Sequence, residues 1–340
     1  MTPLLIRCEA TPELGTGHAL RCLALAQEWM RRGGRAVFAM SEHEPAIAAR
    51  LRAAGAAVEP VRATPGSPAD AIETAALAQR LRAQWTVVDG PAFAAEWDAA
   101  WAGDSSLLRI DDNGLARPFR AELVLNQNLG AAVADYPVRD GPCRLLLGPG
   151  YALMRREFLG VPEVLRGTRL LVTLGGSDPA CATERILAAL GEPAARNLAA
   201  DFIVGAANPR RAALLASIDA HGPRLRAVVA PDNLPERFAG AEFVVTAGGT
   251  TLYELALLRT PMFLLCTAEN QRRTCERFAA AGAACFAGWH AEIAPAALAQ
   301  SLAAFSSDVV RRRLLAERAS GLVDGRGAAR VVEAMLGGGA

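Results

Sequence analysis

Short apolar runs alternate along this chain with longer segments in which Ala, Leu and Arg recur at helical spacing. Such alternation predicts strands joined by helical crossovers, and therefore parallel sheets. We predict strands at Leu4–Cys8, Arg35–Met40, Ala57–Val61, Trp85–Asp89, Leu107–Asp111, Glu122–Asn126, Arg169–Leu174, Asp201–Val204, Leu225–Val229, Phe243–Thr246, Met262–Cys266 and Ala284–Ala287. The intervening helices are predicted near residues 18–32, 44–54, 68–82, 92–102, 179–190, 209–219, 250–258 and 270–281.

The alternation is interrupted once, by a Gly- and Pro-rich stretch from Gly148 to Pro162. A chain of 340 residues exceeds one ordinary core, which fits two domains of roughly 150 residues each. We predict an N-terminal Rossmann-like domain over residues 1–150 and a C-terminal one over 151–340. The helix-forming tail from Ala294 to Leu336 either caps the second domain or returns its last helix to the first. Parallel sheets bind ligands at the carboxyl ends of their strands, so two facing sheets would enclose a cleft.

Composition narrows the possible partners. Hydrophobic residues make up 52% and charged residues 21%, and the formal net charge is +1, which favours a well-packed globular protein and argues against a nucleic-acid partner. The seven cysteines form no CxxC pair, which predicts reduced, buried thiols and a cytoplasmic location. With no signal segment and no apolar stretch near the roughly 20 residues of a membrane helix, we expect no membrane partner. We expect a monomer or a weak oligomer.

The loop after the first strand is the most informative motif. Gly15 and Gly17 lead into a helix predicted from His18 to Arg32. Glycines allow a phosphate to approach the backbone, and a helix N-terminus offers free N–H groups. A histidine at this junction is a candidate general base. Without the glycines, helix capping or packing would be the likelier explanation of His18.

Polar residues also follow later strands of the first domain. Asp89 ends the fourth strand, Asp111 and Asp112 the fifth, and Asn126 and Asn128 the sixth. Their gathering at one edge of the sheet predicts a polar pocket. The alternative is that these side chains only cap helices and turns.

In the second domain, two glycine-containing strand ends stand out. Gly175-Gly176-Ser177 follows its first strand, a turn that suits a phosphate. Gly248-Gly249-Thr250-Thr251-Leu-Tyr-Glu254 follows its fourth, placing a carboxylate where it can accept both hydroxyls of a ribose. Asn270-Gln271 opens the next helix and completes a predicted nucleotide site. The alternatives are a capping box at Glu254 and an ordinary N-cap at Asn270.

Several other classes lack their motifs in this sequence. It contains neither a P-loop nor a complete dinucleotide fingerprint, and neither a nucleophile elbow nor a His-Glu-x-x-His zinc motif. We therefore expect no metal and no cofactor.

These motifs, in this order, resemble the UDP-sugar hydrolase family of pseudaminic acid biosynthesis (PseG) and its spore-coat-polysaccharide relatives, within the GT-B superfamily that includes the glycosyltransferase MurG. The resemblance rests on Asp111-Asp112, on Asn126-x-Asn128, and on two longer stretches, Arg7-Cys-Glu9-Ala-Thr11-Pro-Glu-Leu-Gly15-Thr-Gly17-His18-Ala-Leu-Arg21 and Gly148-Pro-Gly-Tyr151-Ala-Leu-Met-Arg155-Arg-Glu157-Phe158. Two positions depart from the family pattern: Glu9 replaces a usual Asp, and Asp89-Gly90-Pro91 replaces Asp-His-Tyr.

The resemblance implies a GT-B fold and hydrolysis of a UDP-linked 2,4-diacetamido-2,4,6-trideoxy hexose to free sugar and UDP. Because no metal cluster is evident in the sequence, we predict metal-independent cleavage, and in-line displacement by water would invert the anomeric centre. The resemblance also implies that His18 is the general base. It implies uracil, ribose and diphosphate contacts at Gly248, Gly249, Thr250, Glu254 and Asn270. Together with the other motifs, the full set of expected substrate and UDP contacts is Gly15, Gly17, Arg21, Asp89, Asn126, Tyr151, Gly175, Gly176, Ser177, Gly248, Gly249, Thr250, Glu254, Asn270 and Gln271. A GT-B glycosyltransferase with a UDP-sugar donor, or a catalytically silent UDP-sugar binder, remain alternatives.

Overall fold

Two parallel sheets organise the chain, one in each of two units. The computed structural model describes residues 2–11, 14–41, 45–114, 119–137, 142–205 and 208–337. Unit 1 comprises Met1–Arg156 and Gly325–Ala340, and unit 2 comprises Glu157–Asp324.

The sheet of unit 1 has seven parallel strands in the order β3-β2-β1-β4-β5-β6-β7. Its strands are β1 Pro3–Cys8, β2 Arg35–Met40, β3 Ala57–Pro60, β4 Trp85–Asp89, β5 Ser106–Ile110, β6 Leu123–Asn126 and β7 Arg144–Leu147. Its helices include α1 Gly17–Arg31, α2 Pro45–Ala53, α3 Pro68–Leu81 and α4 Ala95–Ala100, and 3-10 turns lie at Val133–Asp135 and Pro149–Tyr151. Every residue of β1 and β4 is buried, because helices cover both faces of the sheet.

The sheet of unit 2 has six parallel strands in the order β10-β9-β8-β11-β12-β13. Its strands are β8 Arg169–Thr173, β9 Ala199–Val204, β10 Leu225–Val229, β11 Val244–Thr246, β12 Met262–Cys266 and β13 Cys285–Trp289. Its helices include α5 Ala182–Gly191, α6 Arg211–Asp219, α7 Leu234–Gly240, α8 Thr251–Leu257, α9 Glu269–Ala280, α10 Pro295–Ser307 and α11 Val309–Ser320, with 3-10 turns at Pro193–Ala195 and Gly222–Arg224.

The last helix, α12 Gly327–Met335, belongs to unit 1 although the chain reaches it from unit 2. Val331 and Val332 are fully buried in the core that α1 shares with the sheet, and Trp85 Nε1 donates to the Met335 carbonyl at 2.9 Å. The structure thus differs from the predicted boundaries, since unit 1 extends six residues past residue 150 and includes Gly325–Ala340, while the earlier part of the helical tail belongs to unit 2. The apolar face of α12 completes the core of unit 1, which is why it packs there.

The predicted alternation of strands and helices is confirmed, with ends shifted by a few residues. The predicted helix 44–54 begins on residue 44, which lies outside the described residues, and α2 is described from Pro45. The strand β7 was not predicted; it has four residues and lies at the edge of the sheet. Within the described ranges, no helix has the length and apolar composition to cross a bilayer.

Both sheets reverse their strand order once, between β1 and β4 in unit 1 and between β8 and β11 in unit 2. The loops after such a pair of strands diverge to opposite faces, leaving a crevice where α/β proteins bind ligands. The first predicted motif follows β1, and the Gly248 motif follows β11. Chain topology therefore places both motifs at switch points.

Candidate functional site

The loop between β1 and α1 is a tight turn. The backbone N–H of Gly15 donates to the Thr11 carbonyl at 2.8 Å, and Gly15 has φ of 78°, a conformation that favours glycine. Helix α1 begins directly afterwards at Gly17, and no described atom lies within 4 Å of a Cβ placed there. The loop therefore places His18 in the first turn of α1, next to the unoccupied space at Gly17.

His18 is paired with the carboxylate at the end of the neighbouring strand. Its Nδ1 lies 2.8 Å from Asp89 Oδ1; the Asp89 side chain is fully buried and that of His18 is 17% exposed. Arg21 Nη2 also lies near Nδ1, at 3.2 Å, but the carboxylate is the closer partner. A carboxylate accepts hydrogen bonds, so in the neutral imidazole this pairing favours the proton on Nδ1 and leaves Nε2 as an acceptor. This tautomer is the one that a general base requires.

Arg21 lies one turn further along α1 and joins two carboxylates. Its guanidinium donates to Asp89 at 2.7 and 2.6 Å and to Asp112 at 2.7 and 2.9 Å. Burial alone would raise the pKa of both carboxyls, but the charge of Arg21 outweighs it and lowers the pKa of Asp89 and Asp112. Both are therefore ionised at neutral pH.

These contacts show that Arg21 and Asp89 are bonded within the protein, while their contact with the substrate stays a prediction. Both were expected to touch the substrate, yet Asp89 is fully buried and the guanidinium of Arg21 is engaged by carboxylates. Asp112, which was not among the expected contacts, has the more exposed carboxylate of the pair. The feature of the sequence that could have identified Asp112 is the pair Asp111-Asp112 directly after the buried strand β5.

Asn126 is likewise buried and bonded within the protein. Its Nδ2 donates to the Tyr136 hydroxyl at 2.9 Å, and its Oδ1 accepts from the Asn128 backbone at 3.0 Å. Tyr136 in turn donates to Asp111 at 2.7 Å, and the same carboxylate accepts the Gly114 N–H. For Asn126 and Asp111, the turn-stabilising alternative therefore accounts for the contacts seen.

Glu9 uses the extra length of its side chain inside the protein. It pairs with Arg7, and its Oε1 accepts from the Ser41 backbone at 2.9 Å. Arg7 is fully buried and also donates to both oxygens of Asp70, at 2.8 and 3.0 Å. The Asp-to-Glu departure thus lies in a buried ion-pair network behind the strand end.

Tyr151 is partly buried against the core of unit 1, on the 3-10 turn Pro149–Tyr151. The neighbouring backbone is fixed by Gln127, whose side chain accepts from the Leu153 N–H at 3.0 Å. Tyr136 and Tyr253 are at most 1% exposed. Of the three tyrosines, Tyr151 is thus the one whose side chain reaches the surface.

In unit 2, the loop after β8 does not open a helix in the expected way. Helix α5 begins at Ala182, five residues beyond Ser177, and its first N–H groups are already bound by Asp178. The Asp178 carboxylate accepts from Ala182 at 3.0 Å and from Thr183 at 2.8 Å. Asp178 therefore caps the N-terminus of α5, and Gly175, with φ of 100°, lies in the turn before it. The phosphate contact of Gly175, Gly176 and Ser177 stays a prediction.

The loop after β11 contacts the start of α9. The Gly248 N–H donates to Gln271 Oε1 at 3.3 Å, and the Thr267 hydroxyl donates to the same oxygen at 3.1 Å. A Cβ on Gly248 would lie 2.6 Å from Cys275 Sγ, whereas one on Gly249 would meet no described atom within 4 Å. Gly248 is therefore required by packing, and Gly249 is where a ligand can approach the backbone.

Glu254 and Asn270 occupy contrasting positions beside this loop. Glu254 lies in the first turn of α8 and is 8% exposed, so it does not face solvent as expected. Helix α8 begins at Thr251 after Thr250, whose side chain makes no capping hydrogen bond within the described part of the chain. Asn270 is exposed in the first turn of α9. The ribose contact of Glu254 stays a prediction, and so does its alternative, a capping box with Thr251.

The thiols are free, and four of the seven are buried as predicted: Cys8, Cys22, Cys266 and Cys275. Cys181 is exposed, and Cys143 and Cys285 are intermediate, which corrects the expectation that all are buried. Cys22 donates to Asp89 at 3.3 Å. Among the described residues, no group of three or more His, Cys, Asp or Glu side chains is arranged to hold a metal ion.

Comparison with known proteins agrees with the fold. No protein-family model matches the chain. The spore coat polysaccharide biosynthesis protein SpsG of Bacillus subtilis (strain 168) is 28% identical over 195 residues, which cover 57% of this chain and 56% of that relative. The match thus spans little more than half of the relative's length.

Solved structures match over nearly the whole chain. Acinetobacter baumannii MurG has a TM-score of 0.63 at 15% identity, covering 99% of this chain and 100% of that one. The spinosyn rhamnosyltransferase SpnG, complexed with thymidine diphosphate, scores 0.64 at 17% identity, with coverages of 98% and 100%. The S. aureus MnaA–UDP co-structure scores 0.64 at 13% identity, with coverages of 98% and 95%. The chain therefore has the GT-B, glycosyltransferase-like fold, and the predicted pair of Rossmann-like α/β domains is confirmed.

Proposed function

We propose that this protein hydrolyses a UDP-linked sugar to free sugar and UDP without a metal ion. The observation that carries the proposal is the His18–Asp89 pair at the switch point of unit 1, with Nδ1 held at 2.8 Å by a buried carboxylate. Two similarities support a nucleotide-sugar substrate. The chain resembles a spore coat polysaccharide biosynthesis protein in sequence, and it resembles in fold SpnG complexed with thymidine diphosphate and MnaA complexed with UDP.

In the proposed mechanism, a water molecule attacks the anomeric carbon while His18 Nε2 accepts its proton. The bond from that carbon to the diphosphate oxygen breaks, and UDP leaves with the bonding electron pair. In-line displacement of this kind inverts the anomeric centre. Asp89 is a positioning residue that fixes the tautomer and stabilises the imidazolium that forms, a pairing that general-base catalysis commonly uses.

Unit 2 supplies the proposed nucleotide contacts. The open backbone at Gly249, with Thr250 and Glu254, would hold the diphosphate and ribose, and Asn270 and Gln271 would complete the site. Glu254 is the proposed acceptor for both ribose hydroxyls. The finer proposal, carried by the family resemblance, is a 2,4-diacetamido-2,4,6-trideoxy hexose as the sugar, in nonulosonic (pseudaminic) acid biosynthesis.

A glycosyltransferase using the same UDP-sugar donor is the second candidate. It is favoured by the solved structures of similar fold, among which SpnG is named a rhamnosyltransferase. In that case His18 would deprotonate an acceptor hydroxyl instead of water, with the same geometry. A silent UDP-sugar binder is the third candidate.

Incubation with UDP-sugars alone separates the three candidates. We would use UDP-2,4-diacetamido-2,4,6-trideoxy hexose and UDP-N-acetylglucosamine, with EDTA present and absent, and follow UDP by chromatography and the anomer by NMR. Inverted free sugar plus UDP without an acceptor is the expected result. UDP release only with an added acceptor would establish the transferase, and tight binding without turnover the silent binder.

A further inference from the structure

Among the described side chains that contact His18 or one another here, negative charge exceeds positive charge. One guanidinium, that of Arg21, is shared by two carboxylates through four hydrogen bonds of 2.6–2.9 Å. Asp89 is completely buried and in contact with His18, so it cancels the charge of Arg21 locally. With His18 neutral, the formal charge of this group is that of the remaining carboxylate, Asp112.

Asp112 is also the most exposed charged member of the group. Its side chain is 25% exposed, compared with 5% for Arg21 and none for Asp89. Its other described contact is neutral, because Asn128 Nδ2 donates to Asp112 Oδ1 at 3.0 Å. The uncompensated charge therefore lies on the accessible side of the His18 cluster.

We propose that Asp112 is a specificity-determining residue, which makes the sugar-binding end of unit 1 select uncharged or amino-substituted sugars against sugars that bear a carboxylate. The inference rests on the proposed function, in which the sugar lies beside His18. A carboxylate brought next to a partly desolvated, uncompensated anion is repelled, whereas a neutral sugar is not and an ammonium group is attracted.

The test compares UDP-glucose with UDP-glucuronate, which differ by a carboxylate at C6. Calorimetric titration measures the affinity of each, and that of UDP, for the wild-type protein. We expect UDP-glucuronate to bind about tenfold more weakly than UDP-glucose. Equal affinities would overturn the inference while leaving the proposed function intact. Failure of UDP itself to bind would overturn the proposed function and the inference with it.

Asp112→Asn removes the charge and keeps the shape of the side chain. It should bring the two affinities within about threefold of each other while leaving UDP affinity unchanged. Asp104→Asn is the matched control, because Asp104 is exposed and precedes β5 whereas Asp112 follows it, so the same charge change is made at the opposite end of one strand. Loss of discrimination in both variants alike would contradict a local role for Asp112.

A salt series on the wild-type protein tests the same inference without any variant, and decides the matter if Asp112→Asn does not fold. Raising NaCl from about 0.02 to 0.5 M shortens the Debye length several-fold, so the affinity ratio of the two UDP-sugars should fall toward one. A ratio that stays constant across the series would show that shape, not charge, sets the preference.

Discussion

The hydrogen bond from His18 to Asp89 decides what the imidazole can do. It directs the proton to Nδ1 and leaves Nε2 to accept another, so replacing the ring removes the proposed base without disturbing the strands beneath it. We expect His18→Ala to lower kcat by about 10² to 10⁴-fold with little change in KM. His221→Ala, at an exposed histidine of unit 2, is the control. Activity within threefold of wild type in His18→Ala would remove the assignment.

The ionisation of Asp89 also affects the stability of the folded state. Arg21 overcomes the effect of burial and lowers the pKa of Asp89 below its ordinary value of 3.8. The folded state therefore gains stability from the ionised group above about pH 4, and loses it as the pH falls toward the lowered pKa. Asp89→Asn should cost about 3 kcal/mol at pH 7, since Arg21 keeps Asp112 as a partner.

Urea unfolding of both proteins from pH 7 down to pH 3 measures this effect. The difference in free energy of unfolding between wild type and Asp89→Asn should be constant down to about pH 4 and then narrow. A difference that is the same at pH 7 and pH 3 would mean that the charge of Asp89 contributes nothing.

Glu254 allows the nucleotide proposal to be tested at a single residue. Charge-assisted hydrogen bonds are worth about 1.5–3 kcal/mol, so Glu254→Gln should weaken UDP binding by roughly ten- to a hundredfold. Because Glu254 is buried, thermal melts must accompany the calorimetric titration. Glu236→Gln, at an exposed position of α7, is the control. A lower melting temperature with unchanged UDP affinity would assign Glu254 a structural role instead.

At the scale of elements, the β11 loop and α9 are held together by packing at one glycine. A Cβ on Gly248 would meet Cys275 Sγ at 2.6 Å and Gln271 Cβ at 2.8 Å. Gly248→Ala should therefore push α9 away from the loop and destabilise unit 2 by about 1–3 kcal/mol.

Gly249→Ala is the paired variant, because a Cβ there meets no described neighbour within 4 Å. It should leave stability within about 0.5 kcal/mol of wild type, yet weaken UDP binding if the ligand approaches this backbone. Urea unfolding and calorimetric titration of the two variants separate packing from binding. Equal destabilisation by both substitutions would contradict the packing argument.

Strands and helices were predictable from the sequence where the pattern lies within the residues of the element itself. The strand β12 is a continuous apolar run, because parallel sheets bury both faces. The strand β7 was missed because four residues beside a Gly-Pro-Gly turn carry too little pattern.

The pairing of His18 with Asp89 was not predictable from sequence either, since it joins residues 71 positions apart and exists because β1 and β4 are neighbours. The cap that Asp178 provides to α5 joins residues close in sequence. We did not predict it, because the neighbouring Gly175 and Gly176 indicated a phosphate-binding turn instead.

On the scale of the whole molecule, α12 makes the core of unit 1 depend on a segment far from it in sequence. Val331 and Val332 are fully buried there. The double change Val331→Ala and Val332→Ala should cost about 4 kcal/mol, from lost apolar burial and the cavities left behind. Hydrogen exchange measured by mass spectrometry should show lost protection in unit 1 peptides and unchanged protection in unit 2.

The matched control for this prediction is the double change Val309→Ala and Val310→Ala on α11, where the two side chains are 64% and 71% exposed. It removes the same atoms and should leave protection unchanged throughout. Loss of protection spread equally over both units in the α12 variant would contradict the assignment of that helix to the core of unit 1.

The return of α12 to unit 1 also sets an order of events during synthesis. Unit 2 is one continuous stretch, Glu157–Asp324, so all of its strands and helices are available once that stretch has left the ribosome. Unit 1 has its whole sheet earlier but lacks Val331 and Val332 until they are made, after all of unit 2. Unit 1 is thus started before unit 2 and completed after it, and a nascent chain must keep the exposed apolar face of α1 from aggregating while unit 2 is being made.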